Sequence, residues 1–165
     1  FTLLEVLIAI VVFSFGLLGI AGMMTISVRN NHNGYLRSQA NFLAENMLDR
    51  MRANPNGLWK IFYAGTATPG ATACDLATPC NYQQLAQYDM QQWARSLQLA
   101  LPSGQGTINC VINGTVPAIS SAVTPPSIWA PGAPYNGVCT IQVTWNEANR
   151  DSASDLQTME LIAQP

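Results

Sequence analysis

From Val6 to Val28 the chain carries no charged residue, an uninterrupted run of 23. About 20 predominantly apolar residues suffice for a helix to cross a hydrocarbon core about 30 Å thick. Hydrocarbon offers backbone N–H and C=O groups no partner, so a single spanning segment must be a helix. The only hydroxyl side chains in the run are Ser14, Thr25 and Ser27. Arg29 follows directly, where its cationic head can reach the membrane interface. A cleaved secretory signal would show a basic flank, a shorter apolar core and a small-residue cleavage site. The run is longer than that, and Phe1 precedes it without a basic flank. A retained span over residues 1–28 is therefore expected, rather than a signal or a buried core helix.

Glu5 stands at the head of this segment. A carboxylate at mid-bilayer costs roughly 2.5–3.5 kcal/mol or more. Near a helix N-terminus the cost falls, because the helix dipole favours an anion there. A cation at the same depth compensates further, and the α-amino group of Phe1 is the chain's own candidate. The plainer reading is a Glu at the membrane surface.

The helical pattern continues past Arg29. Leu36, Ala40, Leu43, Met47 and Met51 recur at steps of three and four, the signature of an amphipathic helix. Asn54-Pro55-Asn56-Gly57 is expected to end it, since a proline disfavours α conformation in the residue before it. Arg50 and Arg52 suit the negative end of the dipole. A helix from Phe1 to about Ala53 would be roughly 80 Å long at 1.5 Å per residue. Gly16, Gly19, Gly22 and Gly34 each weaken it by about 1 kcal/mol relative to Ala. They also permit close helix–helix approach.

Phe1-Thr2-Leu3-Leu4-Glu5, followed by Val6-Leu7-Ile8-Ala9, resembles the mature N-terminus of type IV pilins and type II secretion pseudopilins. The resemblance implies a filament subunit held in the inner membrane and then extracted into a helical fibre. It implies cleavage by a prepilin peptidase and N-methylation at Phe1, and an assembly contact from Glu5 to a neighbouring subunit's N-terminal amine. Major pilins usually carry a proline near position 22, where this chain has Gly22. Arg37-Ser38-Gln39-Ala40 and Asp49-Arg50-Met51-Arg52-Ala53-Asn54-Pro55 narrow the resemblance to PilV-type minor pilins, the type IV pilus modification proteins. Tyr88-Asp89-Met90, Trp93 and Leu101-Pro102-Ser103-Gly104 fit the same group more loosely.

Beyond the helix, residues 64–80 are rich in Ala, Thr, Pro and Gly and read as a surface loop. Asn81–Leu101 reads as a second helix, or as a shorter one starting at Asp89 if Asp89 and Gln92 form a capping box. Thr107–Ile112, Val138–Trp145 and, more weakly, Leu156–Ala163 alternate as strands. Residues 113–136 hold five of the ten prolines. A connection so long is uncommon without a function. Trp129 and Tyr135 within it are candidate partner contacts, or fold back onto the head. The expected class is α+β, with the long helix packed across an antiparallel sheet, as in the pilin fold. The expected division is 1–28, the membrane and assembly half of the helix; 29–53, its amphipathic half; and 54–165, a globular head.

Four cysteines allow three pairings. Cys74 and Cys80 are close in sequence, whereas Cys110 and Cys139 fall on inward positions of two strands. This favours Cys74–Cys80 with Cys110–Cys139, and an oxidising compartment such as the periplasm. No C-x-x-C occurs, and the lone histidine, His32, is far along the chain from every cysteine, so no metal site is expected. Glu147, Asp151 and Asp155 lack the spacing of a calcium loop. Gly104-Gln105-Gly106 is better read as a turn than as a nucleotide fingerprint, and Asn113-Gly114-Thr115 is a formal glycosylation sequon. No catalytic residue and no cofactor is assigned, so an enzyme is not the expected reading.

Charge excludes one further class. Only 10% of residues are charged, and the net charge is −2. Residues 1–60 carry five cationic side chains against three acidic, and residues 61–165 two against six. An acidic head does not offer the basic footprint that nucleic acid requires. The expected function is therefore structural. The resemblance implies a minor pilin acting in the initiation of assembly and in the pilus tip, with other minor pilins, the major pilin and a tip adhesin as partners. A minor pseudopilin of type II secretion, or a tip binding and adhesion module, is the alternative. The implied location is the inner membrane, with the head in the periplasm, and then the surface pilus.

Overall fold

The computed structural model describes residues 2–75, 78–116, 134–146 and 156–165. The chain forms two compact units, Phe1–Leu36 and Arg37–Pro165. Helix α1 runs from Leu3 to Ala53. Over residues 3–28 its apolar side chains are exposed, Phe13 by 67% and Phe15 by 71%. The helix is long and apolar enough to cross a membrane, and none of its most apolar window is buried. Ser14 Oγ donates to the Ile10 carbonyl and Thr25 Oγ1 to the Gly22 carbonyl, both at 2.7 Å. These two hydroxyls are satisfied inside the helix and need no outside partner in apolar surroundings.

In the second unit α1 is built into a core. Ala40, Leu43, Ala44, Met47, Leu48 and Met51 are all buried. Steps of three and four bring these side chains onto one face. The helix ends at Ala53, but the expected turn there is a second short helix, α2, at Pro55–Trp59. The reason is local. Asn54 Oδ1 accepts from the Gly57 N–H at 3.1 Å, and Pro55 occupies the first helical turn. An Asn followed by Pro is as good a helix start as it is a stop.

Helix α3 spans Tyr82–Ala100 and is capped by Asn81. Asn81 Oδ1 accepts from the Gln84 N–H at 2.8 Å, and Gln84 Oε1 accepts from the Asn81 N–H at 3.0 Å. This reciprocal box begins the helix at the earlier of the two expected positions. Asp89 is instead buried in mid-helix.

The sheet is antiparallel, with order β1-β2-β3-β4 and strands at Gly65–Thr66, Gln105–Val111, Val138–Asn146 and Leu156–Ala163. Strand β1 lies within the stretch expected to be loop. Its two residues pair with Ile108 and Thr107. Two residues are too few to show an alternation in sequence. In β3, Cys139, Ile141, Val143 and Trp145 point inward and are at most 2% exposed. The architecture is α+β, with the later half of α1 packed on a four-stranded antiparallel sheet.

Trp93 of α3 links the layers. Its ring is 1% exposed, and its Nε1–H donates to the Leu43 carbonyl of α1 at 2.9 Å. On its other side the ring lies against Gly106 of β2, where a Cβ would collide with the Trp93 ring and Leu97. Gly106 is thus the gap in β2 that admits the indole.

Candidate functional site

Glu5 sits in the first turn of α1 and is exposed. Its N–H donates to the Thr2 carbonyl at 3.1 Å. Among the described residues, the ion pairs are Arg50–Asp89 and Arg52–Asp49, so Glu5 has no cation on this chain there. Its neighbours on the helix surface are Val6, Ala9, Ile10 and Phe13. A carboxylate among apolar side chains is costly in a low dielectric unless a cation reaches it. Phe1, the expected processing position, lies outside the described residues.

The head has a buried polar cluster of its own. Asp89 of α3 receives two donors: Arg50 Nη1 of α1 at 3.2 Å to Oδ1, and the Tyr63 hydroxyl at 2.8 Å to Oδ2. Asn54 Nδ2 donates to the Tyr63 oxygen at 3.1 Å and to the Tyr82 carbonyl at 2.7 Å. Four side chains from α1, the α1–α2 junction, the segment after α2 and α3 therefore converge. Burial raises Asp89 above its ordinary value of 3.8, against the pull of Tyr63 and Arg50. Burial, reinforced by the neighbouring Asp89 charge, raises the Tyr63 phenol as well. Tyr63 therefore stays protonated and acts as a donor. These hydrogen bonds run between side chains of separate elements, so the cluster fastens α1 and the segment after α2 to α3. The sequence carried one signal of it. Asp89 lies on the stripe of Ala86, Trp93 and Leu97, and an acid on an apolar stripe needs partners.

Cys74 is bonded to Cys80, with Cα atoms 5.4 Å apart, and Cys110 to Cys139, with Cα atoms 4.0 Å apart. The second bond joins directly opposed residues of β2 and β3. Tyr135 is 3% exposed, with its ring edge-on to Trp59 at 5.2 Å between centroids. Its ring is engaged in the head's own packing. Trp129 lies outside the described residues, as do Glu147, Asp151 and Asp155.

A surface groove runs between α3 and the β1 region, lined by Phe62, Thr66, Thr68, Gln83, Gln87 and Gln91 among others. It contains no ionisable side chain. Among the described residues no cluster of three or more His, Cys, Asp or Glu could hold a metal.

The profile of the Tt1218-like family, described as Type IV pilin Tt1218, matches residues 22–91. Neither the curated proteins nor the solved structures contain a match. The matched span runs from the apolar part of α1, through the Arg50–Asn54–Tyr63 cluster, to Asp89 and Gln91 in α3. This match and the helix-on-sheet architecture support a place for the chain in the type IV pilin superfamily, whose members are structural subunits that assemble with other pilins into a pilus.

Proposed function

We propose that this subunit is a minor pilin that helps initiate pilus assembly and resides in the tip complex. One observation supports the minor role. The segment Asp49–Pro55, on which the resemblance to PilV-type proteins rests, supplies Arg50 and Asn54 to the buried cluster around Asp89. The residues that mark the group are thus those that tie α1 to α3. In this reading Phe1 is the cleaved and N-methylated terminus, and Glu5 pairs with a neighbour's amine. Residues 1–28 lie in the inner membrane before assembly, while the head stands in the periplasm. Two disulfides suit that oxidising compartment. The proposed partners are the major pilin, other minor pilins and a tip adhesin.

The test is deletion with complementation. A minor pilin of the initiation complex is expected to be required for normal surface piliation and twitching. It should be present in sheared pili far below the major subunit. Loss of protein secretion with intact pili would instead identify a type II pseudopilin. Intact pili with lost attachment would identify an adhesion module.

A further inference from the structure

Gln83, Gln87 and Gln91 of α3 recur at steps of four. Such steps place them on one face of the helix, about 6 Å apart along its axis. All three line the groove between α3 and the β1 region, together with Phe62, Thr66 and Thr68. Its volume is about 350 Å³, within the range of small-ligand sites. Five of the eight lining residues are amides or hydroxyls, and none is ionisable. All eight lie within the described residues.

The groove is held in shape from both sides. Ile61 has φ +57°, in the left-handed region that a β-branched residue rarely enters. It closes α2: the Ile61 N–H donates to the Leu58 carbonyl at 2.8 Å, and the Phe62 N–H to the Gly57 carbonyl at 3.0 Å. Glycine is the usual residue at this place in such a cap. The strained turn delivers Phe62 to the groove, where its ring stacks on Tyr82 at 5.9 Å between centroids. Backbone strain of this kind clusters at ligand-holding segments. On α3, Gln91 Oε1 accepts from the Thr72 N–H at 2.8 Å. That bond fixes the amide and leaves its Nε2 donors for another partner. The side chains of Gln83, Gln87, Thr66 and Thr68 have no hydrogen-bond partner among the described residues.

We propose that this groove binds a neutral oligosaccharide. A side-chain amide sets donor and acceptor side by side, the complement of two adjacent hydroxyls on a pyranose ring. The C–H face of the same ring packs on an aromatic face, whose negative quadrupole attracts it. A phosphate, sulfate or carboxylate would lose water here and meet no counter-charge. An extended peptide fits the lining less well. Peptide grooves offer a long backbone edge, apolar anchor pockets or an arginine cluster. Strand β1 has two residues, and the lining is mostly amide and hydroxyl. The proposal stands on the groove alone and does not rest on the role in assembly.

The test applies the full-length protein, in a detergent without a sugar headgroup, to an array of neutral, sialylated and sulfated oligosaccharides and of peptides. Its neutral members include N-acetylglucosamine oligomers, the chemistry of cell-wall glycan, and galactose- and mannose-containing chains, the chemistry of cell surfaces, so the array tells the two sources apart. At least one neutral oligosaccharide should bind, and its affinity is then titrated in solution. Gln83→Ala and Gln87→Ala should each weaken binding by about twofold to tenfold, the effect of one net hydrogen bond. Neither should change the melting temperature, since neither side chain is engaged within the described fold. Gln91→Glu keeps an oxygen for the Thr72 N–H but replaces the donor with an anion, and should abolish binding. Gln98→Ala, an exposed glutamine of α3 outside the groove, should leave it unchanged. If Gln91→Glu unfolds, the Gln83 and Gln87 variants decide. Binding to no neutral oligosaccharide, a preference for anionic chains, or peptide binding lost in the same variants would overturn the proposal. So would neutral binding that the Gln83 and Gln87 variants leave intact.

Discussion

Arg50 of α1 and Asp89 of α3 lie 39 residues apart in sequence, yet their side chains meet at 3.2 Å beneath the Tyr63 hydroxyl. Arg50 keeps part of its guanidinium in solvent, whereas Asp89 is almost wholly covered. The pair is therefore asymmetric: losing Arg50 strands a buried acid, while losing Asp89 strands mainly a phenol. Arg50→Ala is expected to cost more stability than Asp89→Asn, because Asn keeps an oxygen for Tyr63. Removing one partner of a buried hydrogen-bonded charge costs about 1–3 kcal/mol. Urea unfolding of both variants checks the order, and equal losses would contradict it.

The same acid makes stability depend on pH with a definite sign. Its value in the folded protein lies above the ordinary 3.8, so between the two values the folded state binds more protons than the unfolded state. Stability from this group is full below 3.8 and declines as pH rises through the folded value. The melting temperature of the parent protein relative to Asp89→Asn should therefore fall as pH is raised through the window above 3.8. A rising difference would show that the charge pair with Arg50 outweighs burial.

At the helix–sheet junction, Gly106→Ala should be as harmful as trimming the indole it faces. A Cβ there collides with Trp93 and Leu97. Overpacking of this kind typically costs about 1–3 kcal/mol. Trp93→Phe removes the hydrogen bond to the Leu43 carbonyl and leaves a void. Combining the two changes should cost less than their sum, because the smaller ring makes room for the methyl. Strict additivity in thermal melts would place the collision elsewhere.

The two disulfides should differ in worth. In the chain-entropy account the short loop closed by Cys74–Cys80 contributes about 2 kcal/mol and the longer one closed by Cys110–Cys139 about 3.5 kcal/mol. Replacing Cys110 and Cys139 together by Ser also leaves polar groups where β2 and β3 are buried. That double variant should melt well below the corresponding Cys74 and Cys80 variant. The reverse order would assign the stability to the surface loop.

Glu5 carries the prediction about assembly. Glu5→Ala makes the apolar segment more apolar, so insertion and processing should persist. Incorporation into fibres should drop if the carboxylate meets a neighbour's amine. Glu5→Gln should drop similarly if charge matters and only mildly if a hydrogen bond suffices. The ratio of this protein in sheared pili to that in the membrane reports both. An unchanged ratio in both variants would leave recruitment to the head alone.

Composition and periodicity determined the elements whose evidence is local. Twenty-three uncharged residues and the Ala40–Leu43–Met47–Met51 stripe dictated α1, and strict alternation dictated β2 and β3. Tertiary structure decided everything that depends on distant partners. The Asn81–Gln84 box, rather than the Asp89–Gln92 spacing, starts α3, since Asp89 is taken by Arg50 and Tyr63 from other elements. Gly106 reads as part of a turn until Trp93, thirteen residues earlier, is laid across it. Strand β1 exists only because β2 supplies its hydrogen bonds, two residues being too few to show any period. Periodicity records which face of an element is apolar, but not which element covers that face or which buried donor finds which acceptor.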